Sequence, residues 1–462
     1  MSERAHNAIT ARYLEAAASG RLPTDVLAKT VEAADISRTH YRGAWLYRPG
    51  FLSRAEQAQV TDDLALVYAA LMDLPARLFG GDLAAFARAV GATEPQVQAV
   101  LRSHTDWVPR LARGDLYRGR TGFQLLELNI TAALGGLDSA ALNDALLGHP
   151  EFAAFAVENR LGHVDTMVEV GEMLRAECDR TGRRGTGGER AGGRPVVAIV
   201  DEYQSFLHLQ PVLHPRAARF AEFGMDVLVG HLAELSYRDG RVWLAGRSVD
   251  VVYRLFQLDQ VADPGVAELI DPLLGAAERG EVRIFTPIGV ELYGSKAALA
   301  LLSDEANRAS YGAEELAAFD RILPWTRMVR PGPVTVDGRR VDLVEYAREH
   351  REDLVLKATL RRSGAGFVAG WLVGADEWDQ LLTEAMHGPY VLQRRIRPVP
   401  EPFPAPDGPT RPWIFNWGIF LSENGYAGGY IRGSEDTAVG VIAYVTGAPA
   451  SCVFHETAEQ GG

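Results

Sequence analysis

Three short apolar runs constrain the architecture of this chain more than any other feature. Val196-Val197-Ala198-Ile199-Val200-Asp201, Asp226-Val227-Leu228-Val229 and Val249-Asp250-Val251-Val252-Tyr253-Arg254 are of strand length and mostly lack the alternating polar positions of a half-exposed strand. Runs of this kind belong to strands buried on both faces, as in a parallel sheet covered by helices. The stretch Arg216 to Phe223 between the first two reads as helix, and Leu235 to Leu244 reads as a hairpin turning at Asp239-Gly240. Residues 194–285 are therefore expected to form a small α/β unit with a parallel core, whose strand ends suit a ligand. No GxGxxG pattern occurs in this unit, so a dinucleotide-dependent dehydrogenase has little support.

The flanking regions differ in pattern. Between residues 8 and 112, Ala and Leu recur at three- and four-residue steps, as in Leu64, Val67, Tyr68, Leu71 and Met72, which predicts a helical scaffold. Near 115–137, Tyr117 and then Phe123 to Asn129 read as two antiparallel strands joined by a turn at Gly119 to Gly122. Arg180 to Pro195, rich in Gly and Arg, is expected to be a surface loop. Later, Asp353 to Lys357 and Phe367 to Trp371 read as strands around a loop at Arg361 to Gly366. Pro398 to Pro412 reads as a proline-rich connection, followed by strands at Trp413 to Phe420 and Gly428 to Arg432. A chain of 462 residues, 47% hydrophobic, is too long for one core. The expected division is a helical N-terminal region with strands (1–193), the α/β unit (194–285) and a mixed region with a glycine-containing loop (286–462).

The formal net charge of −13 argues against nucleic acid or an anionic membrane as the partner of the whole surface. Cys178 and Cys452 are the two cysteines and stand far apart, so neither a disulfide framework nor a cysteine zinc site is expected. With no hydrophobic signal core at the N-terminus and no apolar run of membrane-spanning length, a cytoplasmic location is expected.

Three polar groupings carry candidate chemistry. Glu127-Leu128-Asn129 places two oxygen-bearing side chains on one face of a strand, and Asp115 on the preceding strand completes a hard-oxygen set suited to Mg²⁺. Lys357 ends an apolar strand before the Gly364-Ala365-Gly366 loop, where an ammonium and backbone N–H groups can meet phosphates. Lys296 opens a helix, an unfavourable place for a cation unless an anion lies nearby. Each grouping taken singly has an ordinary alternative: a polar strand edge, a hairpin lysine, a surface helix start.

In combination they resemble a known family. Arg113-Gly114-Asp115, followed twelve positions after the Asp by Glu127-Leu128-Asn129, is similar to the Arg-x-Asp and Glu-x-Asn pair of glutathionylspermidine synthetases and eukaryotic glutathione synthetases. Lys296 in a Gly-Ser-Lys segment, Lys357 in Val-Leu-Lys, the glycine loop, Tyr390-Val391-Leu392-Gln393 and Ala427-Gly428-Gly429-Tyr430-Ile431-Arg432 follow in the same order over roughly 110 to 450. The resemblance implies a mixed α/β ATP-grasp fold. Because the metal-binding pair lies upstream of the lysines, it implies the circularly permuted form.

Carried over by position, the resemblance implies that Asp115, Glu127 and Asn129 hold Mg²⁺, while Lys296, Lys357, Ser363, Gly364 and Gly366 contact ATP phosphates. The backbone of Val391 and Leu392, with Gln393 beside it, would read adenine. Arg113, Arg432 and Arg362 would steady the reacting groups, and Arg254 and Thr131 would meet the substrate. A homodimer is implied as well. Two departures stand out: Arg361 occupies the place of a metal-binding Glu in glutathione synthetases, and Ala358 that of the Pro after the strand lysine. No counterpart of the amidase half of bifunctional glutathionylspermidine enzymes is present.

The expected function is ATP-dependent joining of a small-molecule carboxylate to an amine through an acyl phosphate. The alternatives are a ligase that loads a carrier protein, a small-molecule kinase, and a nucleotide-binding regulatory protein.

Overall fold

In the computed structural model, the residues described are 7–34, 36, 45–105, 108–183, 193–361, 366–405, 408–443 and 446–458. The N-terminal third is helical, as its periodicity requires. The helix Arg54–Met72 starts at Ser53, which forms a capping box with Glu56, and it buries Val60, Leu64, Val67, Tyr68 and Leu71 along one stripe. One element there escaped the helical pattern. Gly50–Leu52 is a short strand running parallel to Ala450–Glu456, which ties the beginning of the chain to its end. Three residues are too few to show a period.

The largest sheet runs in the order Gly50–Leu52, Ala450–Glu456, Gly425–Ser434, Gly408–Ser422, Ala112–Arg118, Phe123–Ile130. The last two form the expected antiparallel pair, turning where the Gly119 N–H donates to the Gly122 carbonyl at 2.8 Å. The proline-rich connection is instead partly a strand: Glu401–Ala405 pairs with Gly408–Ser422. Among the described residues it pairs on that side alone, and a proline is tolerated where no neighbour needs its missing N–H.

The apolar runs of the middle region form a four-stranded, all-parallel sheet in the order Arg283–Phe285, Val251–Arg254, Val196–Asp201, Asp226–His231. Every residue of Val196–Asp201 and Val251–Arg254 is buried, which is why both lack alternation. The expected hairpin is present as Ser236–Arg238 and Arg241–Leu244, extended by a third strand, Arg247–Val249. Asp239 (φ 53°) and Gly240 (φ 65°) take the left-handed conformation that a two-residue hairpin turn demands.

A third sheet, antiparallel in the order Thr326–Met328, Tyr390–Arg394, Leu354–Ala358, Phe367–Ala369, carries Lys357 and Gln393. Helix Thr166–Arg183 continues into the stretch expected to be a loop, of which 184–192 lies outside the described residues. Both cysteines are buried, and neither forms a disulfide among the described residues. No described helix is long and apolar enough to cross a membrane.

Candidate active site

A cavity of about 280 Å³ opens between the large sheet and the Lys357 sheet, and side chains from distant parts of the sequence, Arg113 and Arg432 among them, converge on it. Arg113 and Asp115 come from Ala112–Arg118, Glu127 and Asn129 from Phe123–Ile130, and Arg432 from Gly425–Ser434. Lys296 comes from the start of helix Lys296–Ser303, and Lys357 and Gln393 from the opposing sheet.

The cluster is ordered by charge. Asp115 and Glu127 face each other in register across their strand pair. Asp115 accepts from Arg113 Nε at 2.6 Å and Nη2 at 3.1 Å, and from Arg432 Nη2 at 2.8 Å. Burial opposes the charge on both guanidiniums, but Asp115 outweighs it and holds them firmly protonated. Glu127 accepts from Asn129 Nδ2 at 3.2 Å and pairs with Lys296 Nζ at 3.2 Å. Burial pushes the Glu127 carboxyl up, yet Lys296 and Lys357 together hold it well below the usual carboxylate range.

Lys357 is different. It is 6% exposed and its ammonium donates to Gln393 Oε1 at 2.7 Å and to the Leu126 carbonyl at 3.2 Å, with no carboxylate within ion-pair distance among the described residues. Burial, against the attraction of Glu127 and with repulsion from Lys296, pulls its pKa down to about 8. Among the described residues, seven cationic side chains and two carboxylates line the cavity, and this imbalance suits a polyanion.

Lys296 owes its place to Gly294. A Cβ at Gly294 would lie 2.7 Å from the Leu128 carbonyl oxygen and 3.1 Å from the Ile130 nitrogen, so this turn lies directly on the backbone of the strand that carries Glu127 and Asn129. Ser295 then caps the helix, accepting from the Ala298 N–H at 3.1 Å, and Lys296 follows one residue later. Gly294→Ala is expected to lift the turn off the strand, costing about 1–3 kcal/mol of stability and opening the Lys296–Glu127 pair. Chemical denaturation and a crystal structure of the variant would check both effects.

Arg113, Asp115, Glu127, Asn129, Lys296, Lys357, Gly366, Gln393 and Arg432 all line this cavity. Four other expectations need correction. Arg254 is 0% exposed and is engaged internally: Nη1 donates to Glu291 Oε1 at 2.6 Å, and further N–H groups reach the carbonyls of Thr286, Phe256 and Pro287. Thr131 Oγ1 donates to the same Glu291 oxygen at 3.0 Å, so both expected substrate contacts belong to a buried network. Val391 and Leu392 sit in a central strand paired on both sides, so their backbone groups serve the sheet and do not read a base. The strand ends at Arg394, which lines the cavity together with Arg395 and Ile396 just beyond it. Arg362, Ser363 and Gly364 lie outside the described residues.

The structure also brings in Tyr117, Asn416, Tyr430 and Gln257, which sequence reasoning did not select. Tyr117 falls on the same strand face as Asp115, two residues away, a signal the strand period could have supplied. Among the described residues no cluster of three or more His, Cys, Asp or Glu exists, so the candidate metal set rests on two carboxylates and an amide.

No protein-family model matches the chain, and no curated protein matches it. Among solved structures, a glutathione synthetase like-effector from Globodera pallida, in its apo form, superposes with a TM-score of 0.55 at 13% identity, over 94% of this chain and 97% of that one. A putative gamma-glutamylcysteine synthetase from Methylobacillus flagellatus KT matches with a TM-score of 0.41 at 12% identity, over 88% and 89% of the two chains. D-alanyl-alanine synthetase A from Vibrio cholerae gives 0.25 at 10% identity, over 51% and 87%. The first likeness concerns the fold and extends over nearly the whole of both chains, in keeping with the expected mixed α/β, ATP-grasp type of architecture.

Proposed function

We propose that this chain is an ATP-dependent carboxylate–amine ligase. The observation that carries the reading is Lys357: a buried ammonium without a carboxylate partner among the described residues, beside a second lysine, facing a cavity whose charged side chains are mostly cationic. A buried cation in this condition calls for an anion supplied from outside. The glutathione-synthetase-like fold points to a triphosphate as that anion.

Lys357 and Lys296 would bind and orient the phosphates. Asp115, Glu127 and Asn129 offer hard oxygens on adjacent strands, a donor set that fits Mg²⁺; when bound, the ion would draw charge from the transferring phosphoryl group. Arg113 and Arg432 share one carboxylate between two guanidiniums, which leaves positive charge to hold the acid substrate and the oxyanion that forms on it. The base would lie against Gln393 to Ile396. The acid takes the γ-phosphoryl group as ADP leaves, and the amine then displaces phosphate to form the amide. The order of the segments, with Asp115, Glu127 and Asn129 ahead of the lysines, supports a circularly permuted arrangement related to glutathionylspermidine synthetase.

The test is a pooled panel of amino acids, short peptides and polyamines with Mg-ATP. Products are read by mass spectrometry, and the acid is trapped with hydroxylamine in the absence of amine. ADP release with a hydroxamate from one acid is the expected result. ATP consumption with a stable phosphate ester and no hydroxamate would make the protein a kinase.

A further inference from the structure

Asn416 belongs to a part of the cavity wall used by neither the lysines nor the carboxylate pair. It sits in the middle of a row across three strands of the large sheet, in register with Tyr117 on one side and Arg432 on the other, and all three residues line the cavity. It is 6% exposed. Its amide nitrogen reaches the Ile442 carbonyl at 3.4 Å, while Oδ1 is buried with no hydrogen-bond partner among the described residues. A buried carbonyl oxygen without a donor destabilises the protein, and a ligand group with a hydrogen to give would remove that cost.

The surroundings restrict what that group is. Tyr117, Ile396 and Ile442 line the cavity and pack with Ile414 in a small apolar cluster at this end, a surface suited to a flat base. Arg432 on the neighbouring strand opens the charged region that suits phosphates, and its guanidinium disfavours an ammonium donor while leaving a neutral hydroxyl unaffected. Between the base and the phosphates of a nucleoside triphosphate lies the sugar. We infer that Asn416 Oδ1 accepts a hydrogen bond from a ribose hydroxyl of the bound nucleotide, which makes it a sugar-discriminating residue. This rests on the nucleotide-binding reading proposed above.

The experiment titrates the full chain with ATP, 2′-deoxy-ATP and 3′-deoxy-ATP in the presence of Mg²⁺ by calorimetry, alongside Asn416→Leu and Asn416→Asp. The wild type is expected to bind ATP about tenfold more tightly than one of the deoxy forms. Asn416→Leu should remove that difference and raise the melting temperature of the nucleotide-free protein, because the unpaired buried carbonyl is gone. Asn416→Asp keeps an acceptor and should keep the difference. Discrimination that survives in Asn416→Leu, or a wild type that binds the three nucleotides equally, overturns the sugar contact and leaves the ligase reading standing. A wild type that binds no nucleotide overturns both.

Discussion

Glu127→Gln is expected to lower ligase turnover on the order of 10²–10³-fold while leaving the protein folded. Glu127 faces Asp115, accepts from Asn129 and pairs with Lys296, so it joins the candidate metal set to the cations proposed to bind phosphate. The glutamine is nearly isosteric but supplies no charge. Magnesium should then no longer strengthen nucleotide binding, which titration of β,γ-imido-ATP with and without Mg²⁺ would read independently of turnover. A pH signature accompanies it. Lys357 titrates at about 8 because burial lowers its pKa and Glu127 partly restores it. The phosphates need the ammonium form, so nucleotide affinity of the wild type should fall as pH rises through about 8, by roughly tenfold per unit beyond it. Removing the charge that restores the pKa moves the fall to lower pH in Glu127→Gln. Lys357→Arg, whose guanidinium does not titrate in this range, should abolish it. A Glu127→Gln protein with unchanged turnover, magnesium dependence and pH profile would remove Glu127 from the site.

Arg254→Ala is expected to cost about 3–5 kcal/mol of stability, read by chemical denaturation. The Arg254 guanidinium is 0% exposed and Glu291 is 2% exposed, so the truncation leaves a buried carboxylate without its cation, and three carbonyls lose a donor with it. Had Arg254 met the substrate, the same change would weaken substrate binding in a stable protein. The double variant Arg254→Met with Glu291→Leu should recover a large part of the loss, because neither charge then stays behind. Recovery would be incomplete, since the Leu258 N–H donates to Glu291 Oε2 at 2.9 Å and loses that acceptor. The network has a positional role too. Thr131 follows the strand that carries Glu127 and Asn129, Arg254 ends a strand of the parallel sheet, and Glu291 precedes Lys296, so one carboxylate fastens three regions together.

Much of the fold was legible from periodicity. The apolar runs announced a parallel sheet because strands buried on both faces have no reason to alternate, and Asp239-Gly240 announced a hairpin because its turn needs left-handed backbone. Elements of a few residues, such as Gly50–Leu52, and a strand written with prolines, Glu401–Ala405, were not legible, because their pairing depends on partners hundreds of positions away or adjacent through a turn. The candidate site divided the same way. Glu127, Asn129, Lys296 and Lys357 were candidates by local pattern, each with an ordinary alternative, and what singled them out was the order in which they follow one another along the chain, which resembles that of a known family.

By itself, then, the chain's sequence determined which side chains could carry phosphate and metal chemistry, since that follows from functional group and local backbone period. Tertiary structure alone decided which of them remain available. Arg254 and Arg113 are the same residue type, both buried, but folding brought Glu291 and a ring of carbonyls to the first, and set the second at a cavity where it shares Asp115 with Arg432. The reason is electrostatic: a buried charge acts on a ligand only to the extent that its neighbours leave it uncompensated, and those neighbours come from elsewhere in the chain.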